Sequence, residues 1–155
     1  MLIECVNMND EMINKGTYCI VINMIKNWRV KIVAKGFINF QKGYYVYVGS
    51  ALNSLTKRIE RHLSDDKKKR WHADYLLLNK NAEVKEVVYT HCDKKIECDI
   101  SHKINENADE YIEGFGCSDC NCVSHLYYFK EYDNALNSSI KAYEKTNYEA
   151  NFWFN

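Results

Sequence analysis

The stretch Gly43-Tyr44-Tyr45-Val46-Tyr47-Val48-Gly49-Ser50-Ala51 runs directly into Leu52-Asn53-Ser54-Leu55-Thr56-Lys57-Arg58-Ile59-Glu60-Arg61-His62-Leu63, and the change of period between them decides the fold. From Tyr44 to Gly49 the chain is almost wholly aromatic and valine, which suits a strand. Alternate strand residues share a face, so Tyr45, Tyr47 and Gly49 present two phenols and a gap. After Ser50, Leu52, Leu55, Ile59 and Leu63 recur at helical spacing and predict an amphipathic helix ending near Ser64. At a helix's 100° per residue, Arg58 and His62 lie at roughly 0° and 40°, beside an apolar stripe at roughly 60–140°. A guanidinium at the edge of a buried stripe borders the sheet rather than open solvent.

Working outward, Thr17–Ile25 reads as a buried strand and Trp28–Ala34 as a half-buried one, the two forming a hairpin. Gly36 and Gly43 punctuate a loop. Asp65–Arg70 is a solvated turn, Trp71–Leu78 a short helix, and Val84–Thr90 a further strand. Glu97–Ile104 is helical, Glu113–Asp119 is a Gly-rich loop, Ser124–Phe129 is a late strand, and Asp133 caps a helix to about Thr146. Strands precede irregularly interleaved helices, so the class is α+β, a small, mainly antiparallel sheet flanked by helices. Residues 1–14 read as a leader, 15–130 as the core unit, and 131–155 as a helical extension with an aromatic tail.

With 155 residues, 46% hydrophobic and 27% charged, the chain has an ordinary globular composition, outside the disordered range. Its apolar runs are too short to span a bilayer, and its start lacks the pattern of a secretion signal, so no membrane partner and a cytoplasmic location are expected. Zero net charge excludes a uniformly cationic nucleic-acid binder. Charge is nevertheless segregated: residues 1–96 carry 17 Lys+Arg against 10 Asp+Glu, and 97–155 carry 4 against 11. Seven cysteines read as reduced thiols rather than as a disulfide frame.

Glu97 shares a predicted helix face with Ile100 and Ile104. A carboxylate aimed at a core costs several kcal/mol unless it meets a metal or a cation. Gly16-Thr17-Tyr18, Tyr47-Val48-Gly49, an Arg on the next helix and a Glu on a later one together resemble the GIY-YIG nuclease superfamily. The longer blocks Gly43–Ala51, Arg58–His62, Trp71–Leu76, Glu97-Cys98 and Gly114–Leu126 look closer still to its archaeal-type branch, the Uri-like nucleases. The resemblance covers about residues 15–130.

It implies a metal-dependent endonuclease that hydrolyses phosphodiester bonds in DNA, in repair or genome maintenance, with one Mg2+ or Mn2+ held by Glu97. Tyr18 and Tyr47 would flank the attacking water, one of them as base or positioner. A phenol needs nearby cations or the metal to bring its pKa down from ~10 for the base role. Arg58 would grip the phosphate, and His62 would add a phosphate contact or a proton relay. Ser50 stands where the repair-nuclease branch has a Lys. Ser50, Arg61, His72, Ser118 and His125 are the candidate substrate contacts.

Rival readings stand beside this one. Tyr45 reads as core, as aromatic strand residues usually are. Cys117, Cys120, Cys122 and His125 spell C-x2-C-x-C-x2-H, a zinc-ligand set of unusual spacing, or else buried small side chains. Phe152, Trp153 and Phe154 would dock on the domain, mediate dimerisation, or stack bases. A non-catalytic nucleic-acid-binding module and a zinc-stabilised interaction protein are the alternatives to the enzyme.

Overall fold

The computed structural model describes residues 14–33, 35–117 and 120–154. Its elements are β1 (Gly16–Met24), β2 (Trp28–Ile32), β3 (Gly36–Phe40), β4 (Gly43–Ala51), α1 (Leu55–Leu63), α2 (His72–Leu77), β5 (Ala82–His91), α3 (Glu97–Asn105), β6 (Glu110–Tyr111), β7 (Leu126–Phe129), α4 (Tyr132–Lys145) and β8 (Asn151–Phe152). Six strands form an antiparallel sheet in the order β6-β7-β4-β1-β5-β8, and β2 and β3 form a separate two-stranded ribbon. The class is α+β. Apart from Asn14, the expected leader lies outside the described residues.

The expected hairpin of the first two strands is corrected. β1 is buried along nearly its whole length, so it needs covering on both faces and a partner on each edge. It therefore sits centrally, between β4 and β5. β2, exposed at every position but Val30 and Ile32, pairs instead with β3. The segment read as a Gly-punctuated loop is that partner strand. Gly36, at φ +84°, supplies the left-handed turn position that lets the chain reverse into it.

The two sheet faces carry two cores. Tyr18, Ile20, Ile22, Met24 and Tyr45 pack with Leu55 and Ile59 of α1, Leu76 of α2, and Val30, Ile32 and Phe40 of the ribbon. Cys19, Val21, Val46 and Val48 pack with Ile100 and Ile104 of α3 and Ala135, Ala142 and Tyr143 of α4. Helix α4, assigned from sequence to an extension, thus closes one core of the domain. It begins at Tyr132, one residue before Asp133, with Glu131 in the capping position. Leu52 lies outside α1 and is 57% exposed, so the helical stripe starts at Leu55. Asn14 and Ser54 cap that start: Leu55 N–H donates to Asn14 O at 2.8 Å and Lys57 N–H to Ser54 Oγ at 3.2 Å. The aromatic tail docks: β8 pairs with β5, Trp153 N–H donates to Val87 O at 3.0 Å, and its ring meets Tyr89. Phe152 and Phe154 stay exposed. Among the described residues no helix is long and apolar enough to cross a membrane.

Candidate active site and metal cluster

Strand register sets the first part of the site. Tyr18 lies opposite Gly49 and Ile20 opposite Tyr47, so both phenols project from the face that α1 covers. The bare Gly49 makes room for Tyr18, since a Cβ there would fall 2.5 Å from the phenol's Cζ. Tyr18 is 2% exposed, and its hydroxyl meets His62 Nε2 at 2.8 Å. Tyr47 is half-buried, edge-on to both His62 and Phe115. Tyr45 is a core residue, buried and donating to Gln41 O at 3.0 Å.

Helix α1 brings in the cations. Arg58 donates to Ser50 O at 2.9 Å and stacks over the Trp71 ring at 4.6 Å, with Arg61 over the same ring at 4.2 Å. Arg61 also clamps the fully buried Asp74 with two 2.9 Å hydrogen bonds. Arg61, a candidate substrate contact, is thereby committed to holding α2 and Trp71 in place. Lys67 is not simply solvated: its Nζ folds back to the α1 carbonyls of His62 (2.6 Å) and Arg61 (3.1 Å), satisfying the helix end. His72 Nδ1 accepts from Gly116 N–H at 3.1 Å, pinning the loop that lies against Tyr47.

Glu97 opens α3. Its Oε1 accepts from Ser50 Oγ at 2.7 Å, its Oε2 lies 2.7 Å from His125 Nδ1, and the side chain keeps 29% exposure. Burial opposes its ionisation, but the His125 and Ser50 hydrogen bonds outweigh it and hold the carboxyl below its usual range. One carboxylate oxygen pair has about four acceptor sites, so room for a cation remains. A cavity of about 250 Å³ opens beside it, lined by Ser50, Lys94, Lys95, Cys98 and others; neither tyrosine lines it.

The phenols run against the sequence expectation. Burial first, then the neighbouring Tyr47, pushes Tyr18 well above its ordinary value; burial and then the Glu97 charge push Tyr47 up. Arg58 works the other way at both but does not prevail. Both phenols are therefore held in their protonated form. His62 is neutral, its pKa driven down to about 3 by burial first and then by Lys67, with Arg58 and Arg61 adding to it and Asp74 opposing.

That neutral imidazole has a consequence for stability. In the unfolded chain His62 regains its ordinary value of 6.5, so below that pH the unfolded state binds the extra proton. Stability contributed here is present above about 6.5 and is lost as pH falls toward about 3. Linkage gives about 2 kcal/mol between about pH 7 and pH 5. Urea unfolding at the two pH values should show this slope in the wild type and a smaller one in His62→Phe.

The cysteine cluster differs from the expected set. The ligand atoms of Cys98, Cys120, Cys122 and His125 lie within 4.8 Å of one another and could hold a metal ion. Cys117 is replaced by Cys98: its thiol points to Phe115 O at 3.5 Å. Local spacing favoured Cys117, whereas Cys98 arrives from α3, where it follows Glu97 directly. His125 Nε2 is 3.3 Å from Cys120 Sγ while Nδ1 faces Glu97. The four cluster cysteines of the two sets are free, as is Cys19, but Cys92 is disulfide-bonded, which corrects the expectation of seven reduced thiols. Ser118 lies outside the described residues.

Trp71 is the residue whose part sequence reading missed; three basic side chains around one ring, spaced along Arg58–Arg70, were its only signal. A family model described as a domain of unknown function, DUF123, matches residues 17–148. No curated protein and no solved structure matches the chain.

Proposed function

The chain belongs to the DUF123 family, which carries no assigned activity, and we propose that it is a metal-dependent phosphodiester hydrolase of the GIY-YIG type, acting on nucleic acid, DNA before RNA, inside the cell. The observation that supports this is convergence. Tyr18 from β1, Tyr47 and Ser50 from β4, Arg58 and His62 from α1 and Glu97 from α3 form two runs of contacts, Tyr18–His62–Tyr47 and Arg58–Ser50–Glu97, and a side-chain hydrogen bond from Arg58 to Tyr18 joins them.

Glu97 would hold the divalent cation, being ionised, partly exposed and bordered by a cavity. Such an ion polarises a phosphate and acidifies bound water. Arg58, held by Ser50 O and braced on Trp71, offers its remaining donors to a phosphate and to charge that grows in the transition state. Tyr47, protonated and half-buried, donates a hydrogen bond that orients water or a phosphate oxygen. Tyr18 and His62 form a buried pair behind it that fixes the ring positions. Repair or genome maintenance as the setting rests on the family resemblance alone.

The test is cleavage of single-stranded, nicked and branched DNA by the purified chain in magnesium or manganese. Wild type should cut at least one of them, and Glu97→Gln should lose on the order of 10³-fold in rate, as loss of a charge that acts in the transition state does. No cutting above the Glu97→Gln level on any substrate overturns the assignment.

A second reading has its own support and is compatible with the first. Cys98, Cys120, Cys122 and His125 offer three soft thiols and an imidazole, a donor set that suits tetrahedral zinc rather than magnesium. Glu97 orienting His125 through Nδ1 is the outer-shell carboxylate such sites use. On this reading a closed zinc site ties the 113–125 loop to α3 and steadies the acid, without doing the chemistry itself.

A further inference from the structure

The ribbon β2–β3 contributes no side chain to the candidate site, yet it carries an uncommon surface. Residues 12–59 contain eight Lys or Arg and no Asp or Glu. In the ribbon, Val30, Ile32 and Phe40 point into the core, which leaves Arg29, Lys31, Phe37 and Asn39 on the outer face. Phe37 is 57% exposed, an unusual cost for a large aromatic ring, and it is not left bare. The Arg29 guanidinium stacks 4.1 Å from its centroid and Lys31 Nζ stands 5.8 Å away. At the start of β2, Trp28 is 37% exposed with Lys26 and Lys80 over its ring at 5.2 and 5.7 Å.

From this we infer that the outer face of the ribbon binds single-stranded nucleic acid, with Phe37 and the Arg29 plane as a base-stacking platform and the flanking cations on the phosphates. The inference rests on the hydrolase reading for its direction. Lys35, where the chain turns into β3, reaches the loop at Gly114, where an added Cβ would sit 3.1 Å from Nζ; two residues on, Gly116 packs against Tyr47. A strand stacked on the ribbon is thereby led toward Tyr47.

A single strand fits better than a duplex, because a ring lying flat beneath a guanidinium accepts an unstacked base face rather than a paired edge. It fits better than a lipid surface, because a capped aromatic is not free to insert among acyl chains, and the charge is spread along the strand rather than set behind an apolar face.

The test is binding by the full chain, without added magnesium or manganese, of labelled oligothymidylate, oligouridylate, a duplex, and phosphatidylserine vesicles, read by anisotropy or cosedimentation. Both single strands should bind more tightly than the duplex. Phe37→Ala should weaken them about tenfold through lost stacking. Lys31→Ala should lower the log–log salt slope by about 0.7, the value of one phosphate contact on a single strand. Lys141→Ala on α4, away from the ribbon, should change neither, and equal melting temperatures exclude misfolding. Ribbon variants that bind like wild type, tighter binding of duplex, or binding of vesicles without oligonucleotide would each overturn the inference. Cleavage that proceeds normally in ribbon variants would sink the platform and leave the hydrolase; intact ribbon-dependent binding with no cleavage would do the reverse.

Discussion

Stripping metal from the purified protein with a strong chelator under reducing conditions is expected to lower its thermal midpoint by about 10 °C or more. Structural zinc is worth ~10–16 kcal/mol of apparent binding energy in small zinc-dependent peptides. Here most of the fold has its own two cores, so only part of that energy reaches global stability. At roughly 2–4 °C per kcal/mol for a domain of this size, about 3 kcal/mol suffices for the shift. The sharper comparison is between two thiols. Cys98→Ser should lose the metal and the melting temperature together, because it removes one of four converging ligands. Cys117→Ser should keep both, because its sulfur turns toward Phe115 O. Elemental analysis should find one zinc per wild-type chain. Equal behaviour of the two variants, or a metal-free wild type with unchanged melting, would remove zinc from the account.

Asp74→Ala should cost about 3–5 kcal/mol, the penalty of breaking a buried charged pair from one side. Asp74 is fully buried and accepts four hydrogen bonds: two from Arg61, one from Arg70 N–H at 2.7 Å and one from Trp71 N–H at 2.9 Å. Burial alone would raise its pKa, but Arg61 and those backbone donors bring it down to about 2. Its contribution is therefore present above the ordinary carboxyl range and is lost only as pH falls toward about 2. The alanine leaves a guanidinium and two N–H groups at the start of α2 without their acceptor. Because Arg58 and Arg61 both lie over the Trp71 ring, the damage also reaches Arg58. Chemical denaturation should show the full loss for Asp74→Ala and a smaller one for Asp74→Asn, whose amide oxygen still accepts. A loss under about 1 kcal/mol would mean the clamp matters little to α2.

How much of this was legible beforehand depends on the range of the interaction. β1, β4, α1, α3 and α4 follow from local period, because a buried face of a strand or helix must repeat along the chain. Neither the pairing of Tyr18 with Gly49 nor the exchange of a β1–β2 hairpin for a β2–β3 ribbon was legible in the local pattern. Both arrangements satisfy the same alternation, and only the continuous burial of β1 selects the central position. The pairs Glu110–Tyr111 and Asn151–Phe152 are two-residue edge strands with no period to read.

By itself, the order of residues determined the α+β class, the aromatic strand beside a basic helix face, and which side chains could do chemistry. Only the tertiary structure decided the protonation of those groups and the membership of the candidate metal cluster. The phenols rise because packing removes water from them faster than Arg58 can compensate, and desolvation is a property of neighbours that no local spacing encodes. Cys98 displaces Cys117 because α3 packs where its thiol lies within 4.8 Å of the Cys120, Cys122 and His125 ligand atoms. A ligand contributed from across the chain is set by where two elements pack, and that is decided by the whole core at once.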